Sequence, residues 1–394
     1  MSNSLSASFP EVWAREQQEV FYKENVAMKI ANYQTGLEGK KFGDTLNRIY
    51  RNMSAYADVY TGADTSIEDL TDTAEQLVIN RKFSKTFYVD AMDDIQSAYS
   101  EALNYGKDTG EYLSNQVDAD LLGEVLNAGT TITKTTIATT DMLGILTGVN
   151  KALRKNNIMS KDKYGVISPE FEEILIQYVA GRATIDGDQV GRNGYLMSYL
   201  GFDFYVSNQL TSTATLVVDA DITANDTITI QGQVFTFVSS IGTTAGNVLL
   251  GANAAASRVN LAALLNAPGT TTSTGVALTG DALKMFKARI SAVNNIAATN
   301  VVVTGKGLGV LDVSETITAA SDVWTATAQL QHNLFGVKGH PYLIMQKAPK
   351  VTERDAQLRD GKVIINTLLF GTKTFADDAK CMVDVAIQAS TYNA

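Results

Sequence analysis

The side chains able to do chemistry are few, and their spacing suits little of it. The chain has two histidines, His332 and His340, set around Gly336 and Gly339 at a separation that fits no metal site. Its one cysteine, Cys381, excludes an internal disulfide and any multi-cysteine metal cluster. Cys381 lies in line with Val383, Val385 and Ile387 of an alternating run, which predicts a buried structural thiol rather than a reactive one. No Gly-x-Ser-x-Gly elbow occurs, and a Ser/His arrangement would have to use one of the two histidines. The segment GKGLG, Gly305 to Gly309, follows a strand as a phosphate loop would. It lacks the third glycine at the right spacing and the following helix, so it reads as a β-turn. Neither Lys306 nor Lys40 is followed by the Ser or Thr of a Walker loop. The acid pairs Asp93-Asp94 and Asp377-Asp378 fall at expected element boundaries, where Asp caps helices and forms turns. No catalytic, cofactor-binding or metal-binding residue emerges, and the expectation is a protein that is not an enzyme and carries no cofactor.

The bulk properties agree. At 394 residues the chain exceeds the size at which one core keeps growing, so two or three domains are expected. Hydrophobic residues at 45% and charged residues at 19% suit a globular protein. A net charge of −10 argues against a dedicated nucleic-acid reader, which normally carries a basic excess. The first residues, MSNSLSASFPEVWAREQQ, lack the basic start and apolar run of a secretory signal. No stretch approaches the length needed to span a bilayer, so the expectation is a soluble chain without a membrane partner.

The elements that would position any site follow from periodicity. Pro10 to Ala31 is an amphipathic helix pattern anchored by Trp13, Val20, Phe21 and Ile30. Gly43 to Asp90 is polar and extended, with GDTLNRIYR and EQLVINRKFSKTFYVD bracketing a Gly/Asp/Thr-rich middle. In the second segment Leu77, Ile79, Phe83, Phe87 and Val89 share a face with Arg81 and Lys85. Fourteen strand residues reach about 45 Å at roughly 3.3 Å each. Two readings stand: an arm lying on another surface, and a solvent-exposed hairpin. Gln96 to Asn127 has the spacing of one long helix of about 45 Å, weakened at Gly106 and Gly110. Met142, Ile145, Leu146, Val149 and Leu153 form the stripe of a second helix, with Lys151, Arg154 and Lys155 at its C-terminal end. YGVI predicts a strand. SPEFEEILIQYVAG predicts a third helix, with Ser168 as cap, Pro169 at the first position and Gly181 as the stop. GFDFYVSNQL, Gly201 to Leu210, predicts a strand with Phe202, Phe204 and Val206 on one face.

After Leu210 the composition changes. Only 12 of the 120 residues from Thr211 to Leu330 are charged, against 62 of the other 274. The block carries its own elements: the hairpin DTITIQGQVFTFV, the helices ASRVNLAALLNA and GDALKMFKARISAV, and the strand NVVVTG. Beyond the block the charge density rises again, with VIINTLLF and CMVDVAIQ as strands around the turn GTKTFADD. A self-sufficient domain fits where its two ends meet on a host surface, so Leu210 is expected to be an insertion point.

This order of parts resembles the major capsid (coat) proteins of tailed bacteriophages, a fold shared with encapsulin shells. Gly43-Asp44-Thr45 looks like the start of that family's extended loop, and Leu77 to Asp90 like its returning strand. Gln96 to Asn127 resembles the spine helix, and Ser168 to Val179 the axial-domain helix. LGFDFYVSNQL is similar to a Gly-Phe-x-Val/Phe-Tyr-x-Ser-Asn stretch of many coat proteins. The resemblance implies an α+β capsid fold with an inserted small α+β domain. Its parts would be an N-terminal arm over residues 1–35, an extended β-hairpin loop over 36–92, and a peripheral domain over 93–135 and 345–394. An axial domain over 136–210 and 331–344 and the insertion over 211–330 complete it. It also implies an icosahedral shell of hexamers and pentamers of this chain around double-stranded DNA, contacted non-specifically. The virion would be assembled in the bacterial cytoplasm with a separate scaffolding protein and a portal. Arg48, Arg51, Arg81, Lys82 and Lys85 become candidate intersubunit contacts. A tail or fibre protein and an encapsulin-like compartment are the alternatives.

Overall fold

A computed structural model describes residues 26–34, 45–52, 59, 62, 71–90, 101–135, 137–159, 162–182, 198–319, 321–356 and 360–388. Most of the predicted Pro10–Ala31 helix and the first residues of the predicted Gln96–Asn127 helix lie outside them. Two compact units are present: residues 1–18, 33–113 and 341–375 form one, and residues 19–32, 114–340 and 376–394 the other.

In the first unit, strands β2 (Thr45–Asn52) and β3 (Thr71–Val78) pair antiparallel, from Thr45 opposite Val78 to Asn52 opposite Thr71. The predicted single strand from Leu77 to Asp90 is two strands, because β3 ends at Val78 and β4 begins at Arg81 and runs to Asp90. The cause is a change of partner. β3 pairs with β2, whereas β4 pairs with β18 (Gly361–Lys373). At the crossing the chain presses on Gly371, where an added Cβ would sit 2.7 Å from the Val78 carbonyl oxygen. β18 continues to β17 (Tyr342–Asp355), and β1 (Asn32–Gln34) closes the four-stranded order β1-β17-β18-β4. Leu77, Ile79, Ile344 and Phe375 form the core under the hairpin, with Leu46, Tyr50, Tyr342 and Leu369 packed around them. The alternation of β4 holds. Phe83 lies opposite Leu368 and Phe87 opposite Ile364, on the face that carries Arg81 and Lys85.

The long helix α2 (Glu101–Leu122) runs unbroken through Gly106 and Gly110 and tightens to a 3₁₀ turn over Gly123–Asn127. One turn of helix, α1 (Ala27–Ile30), precedes it in the described chain.

The second unit is built on a nine-stranded sheet of path β13-β14-β9-β16-β6-β8-β7, with β19 paired to β16 and to β5 (Thr130–Lys134). Its strands outside residues 211–330, besides β5, are β6 (Lys163–Ile167), β7 (Ser198–Tyr199), β8 (Phe202–Val206), β16 (Leu330–Val337, which begins at the block's last residue) and β19 (Met382–Gln388). Helix α3 (Met142–Lys155) buries the predicted stripe of Met142, Ile145, Leu146, Val149 and Leu153. Helix α4 (Pro169–Ala180) buries Phe171, Leu175 and Val179. Its start is the predicted one: Ser168 Oγ accepts from the Phe171 amide at 3.1 Å, with Pro169 at the first position. Both helices pack on Phe202, Phe335, Val383, Val385 and Ile387 of the sheet. Gly165 is required there, since an added Cβ would meet the Phe335 ring at 2.7 Å.

The block after Leu210 enters this same sheet. Strand β9 (Thr211–Val217) pairs with β16 through Thr213–Leu330, Ser212–Gln331 and Thr211–His332, and β14 (Asn300–Gly305) and β13 (Ile290–Asn295) extend the sheet beyond it. The predicted hairpin forms as β10 (Thr227–Ile230) and β11 (Gln233–Val238), flanked by β12 (Asn247–Leu249) and β15 (Val313–Thr316). With helices α5 (Ala254–Asn266) and α6 (Gly280–Arg289), these strands enclose a core that includes Phe235, Phe237, Leu261, Leu265, Phe286 and Trp324. The block thus has its own hydrophobic core and a backbone ladder shared with β16 of the same sheet. Cys381 departs from its expected place: it ends a 3₁₀ turn before β19 and is half-buried, because β19 begins one residue later and is buried on both faces.

Candidate assembly surface

The five candidate contact residues separate into distinct environments. Arg48 is half-buried, its guanidinium carbon 5.2 Å from the centroid of Tyr50, 5.7 Å from Tyr342 and 5.2 Å from Phe375. Three ring faces around one cation hold the hairpin onto the first unit's own core, each worth about 0.5–1 kcal/mol at a partly exposed site. Arg51 lies on β2 directly opposite Asp72. Arg81 is half-buried with its guanidinium over Phe83 at 5.2 Å, and Phe83 stacks on Phe370. Lys85 is exposed on the same face of β4, its Nζ 4.2 Å from the Tyr112 ring of α2. Lys82 is exposed on the opposite face of the strand. The structure therefore brings Arg81 and Lys85 onto one face and gives Arg48 a role inside the subunit.

The outward face of the hairpin carries a feature that sequence reasoning missed. Alternation turns Leu46, Arg48 and Tyr50 inward and Thr45, Asn47 and Ile49 outward. Ile49 is 68% exposed and Val78 is 42% exposed; Ala74 stands opposite Ile49, and the Asn47–Gln76 pair lies between Ile49 and Val78 on this face. An isoleucine among outward polar residues in TLNRIYRN was the available signal. Among the described residues this hairpin is a two-stranded sheet, and Lys373 Nζ donates to the Gln76 carbonyl of β3 at 2.8 Å.

In the second unit, the C-terminal half of α2 gathers buried polar groups. Asp118 Oδ2 accepts from the Val26 amide at 2.7 Å and anchors the segment before α1. Asp120, 1% exposed, lies 3.9 Å from Lys306 Nζ. Lys306 belongs to the GKGLG turn, which acts structurally: Arg289 Nη1 donates to the Gly307 carbonyl at 2.8 Å and to Gln209 Oε1 at 3.0 Å. Burial lowers the Arg289 pKa, and the Asp120 charge opposes that shift. Gln209 is the residue just before Leu210, so this network ties the block after Leu210 to the segment that precedes it.

A second network crosses the sheet on the face opposite α3 and α4. His332 of β16 bonds Asp384 Oδ2 of β19 through Nδ1 at 2.9 Å and Thr213 Oγ1 of β9 through Nε2 at 2.9 Å. The residue types are those of a hydroxyl–imidazole–carboxylate relay. With His332 and Asp384 side chains only 6% and 3% exposed, the line is built to link three strands rather than to meet a substrate. His340 lies 3.5 Å from Asp378, and the buried Tyr164 hydroxyl donates to the His340 carbonyl at 2.6 Å. Burial pushes the Tyr164 phenol well above its usual range, so it stays a donor. Among the described residues no cluster of three or more His, Cys, Asp or Glu is disposed to hold a metal, and no helix is long and apolar enough to cross a membrane.

Comparison with known proteins gives a consistent result. Residues 78–248 match a family model described as phage capsid protein. No curated protein sequence matches the chain. Among solved structures, a chain of Mycobacterium phage Che8 superposes with a TM-score of 0.56 at 15% identity, over 95% of this chain and 96% of that one. The capsid of cyanophage P-SCSP1u gives 0.54 at 12% identity, over 98% and 95%. The mature capsid of bacteriophage PhiM1 gives 0.53 at 10% identity, over 96% and 92%. At these identities the likeness is one of fold, and it extends over nearly the whole chain.

Proposed function

We propose that this chain is a member of the phage capsid protein family and the major capsid protein of a tailed bacteriophage, many copies of which close into an icosahedral shell around double-stranded DNA. The observation that carries this reading is the match of fold from end to end with phage capsid chains. The β2–β3 hairpin supports it, because among the described residues it carries two exposed apolar side chains, Ile49 and Val78, on its outward face. The role is structural rather than catalytic, and its mechanism is geometric. Each copy lays the hairpin on a neighbour, and the contact repeats through a closed symmetric lattice.

Exposed Lys82 and Lys85, and Arg51, pair with carboxylates of adjacent copies at about 0–1 kcal/mol each. Shell strength then comes from many weak contacts acting together, which also lets misplaced subunits leave. Residues 36–92 serve as the extended loop and residues 211–330 as a domain inserted in the axial region. Assembly proceeds in the host cytoplasm with a scaffolding protein and a portal, and the product is the virion capsid. Neither the tail or fibre reading nor the encapsulin-like one has an observation in its favour beyond the shared fold. Electron microscopy and sedimentation of the expressed protein, alone and with co-expressed scaffold, test the proposal. Closed particles are expected, and a strict monomer under every condition would overturn it.

A further inference from the structure

One surface of the second unit runs against the charge of the whole chain. From Met142 to Lys163 the sequence holds a marked excess of basic residues, in a chain of net charge −10. The structure gathers most of that charge on one side of α3. Thr147, Asn150, Lys151, Arg154 and Lys155 line a concavity of about 580 Å³. Lys151, Arg154 and Lys155 are exposed, and none has a carboxylate within ion-pair distance among the described residues. Lys163, on the adjoining strand β6, donates to Asn150 Oδ1 at 2.6 Å. Burial lowers its pKa first and the positive Arg154 lowers it further, as expected where like charges crowd without an anion. The Asn150 carbonyl oxygen is taken by that bond, which leaves its amide N–H groups beside the cations. The exposed wall of the concavity is mostly the hydrocarbon stems of these side chains, and its charged groups are all cationic.

We infer that this face of α3 is a contact for the phosphodiester backbone of nucleic acid, made by Lys151, Arg154 and Lys155 with Asn150 and Lys163 beside them. The inference rests on the shell reading, which puts a polyanion within reach of every copy, and it names where on the chain that contact is made. The composition favours nucleic acid over an acidic protein. Protein interfaces deplete lysine and concentrate aromatic anchors, whereas no aromatic or aliphatic side chain lines this wall. Leu143, exposed on the turn before, lies outside the lining. Two of the three cations are lysines, point charges that hold phosphate without reading bases. The face would bind any sequence, weakly enough for a net-negative chain to release DNA.

The test is binding of the full-length chain to a short DNA duplex, followed by fluorescence anisotropy against salt and compared with the variant Lys151→Glu/Arg154→Glu/Lys155→Glu. Each phosphate contact steepens the dependence of log K on log salt by about 0.9. The variant is expected to flatten the slope by about 3 and to lose at least about tenfold in affinity at low salt. Duplexes of unrelated sequence should bind the wild type alike. The three positions are exposed, and an unchanged circular dichroism melt certifies the fold. Unchanged anisotropy in a folded variant overturns the inference. A variant that keeps DNA binding but no longer forms particles also overturns it, because the face would then be a contact for an acidic protein segment. Particle formation by the wild type, scored separately in the microscope, tells a failure here from a failure of the shell reading.

Discussion

Replacing the outward apolar pair of the hairpin, Ile49→Lys with Val78→Lys, attacks assembly without touching the subunit core. Full burial of an aliphatic side chain of this size is worth about 1.5–3 kcal/mol. Ile49 is 68% exposed and Val78 42% exposed, so covering them on a neighbour makes about 1–2 and 0.6–1.3 kcal/mol available. The sum, about 2–3 kcal/mol per hairpin, corresponds to a factor of roughly 30 to 150. Each subunit contributes one hairpin, so the critical concentration for particle formation should rise by about that factor. Sedimentation velocity over a concentration series measures it directly, with particle counts by electron microscopy as a second reading. Both side chains point away from the cluster of Leu77, Ile79, Ile344 and Phe375, so the melting temperature of the unassembled subunit should stay close to wild type. A doubly substituted chain that melts normally and assembles at the wild-type concentration would refute the argument that this face is buried between copies.

Other perturbations test the interior. Arg48→Ala removes a cation from three ring faces and should destabilise the first unit by about 1–2 kcal/mol in urea unfolding, with Arg48→Lys recovering part of the loss. Gly165→Ala forces a methyl against the Phe335 ring at 2.7 Å, and overpacking of this kind should cost about 1–3 kcal/mol in the same assay. Asp226 supplies a pH test. Burial pushes its pKa up, but bonds from the Thr318 hydroxyl, the Thr223 amide and hydroxyl and the Thr318 amide outweigh burial and leave it below the usual value. A depressed carboxylate stabilises the fold fully above its unfolded pKa, about 3.9, and the benefit disappears as pH falls through the lower folded value. Thermal melts of wild type and Asp226→Asn between pH 7 and pH 2 should therefore differ most at neutral pH and converge in acid. A gap that stays constant across this range would contradict the assignment.

Local order was legible wherever one residue type answers to one physical demand. Ser168, Pro169 and the stripe Phe171, Leu175, Val179 specify a capped amphipathic helix whatever surrounds it, and the same holds for Met142 to Leu153. The hairpin of β10 and β11 was readable from alternation around Gln231-Gly232, where both turn residues take positive φ. Partner choice was not readable. The pattern from Leu77 to Asp90 is one alternating run, yet the chain changes partners at Ile79-Asn80, because strand pairing depends on which distant edge is free. The candidate contacts divide the same way. Their basic character is in the sequence, but Arg48 is enclosed by Tyr342 and Phe375, which lie near the other end of the chain.

The seam after Leu210 shows the division most plainly. The sequence by itself determined that the composition changes there, that the block beyond has its own helices and strands, and that chemistry-bearing side chains are scarce. Only the tertiary structure decided that Thr211 to Val217 pairs with β16, so that the block and the strands on either side of it in sequence share one sheet. It also decided that His332, Asp384 and Thr213, far apart in the chain, meet in a buried line across three strands. The physical reason is that hydrophobic periodicity and capping act over a few residues, within reach of a local pattern. Sheet order and buried polar pairing instead depend on which unsatisfied backbone edges and side chains come together once the chain is compact.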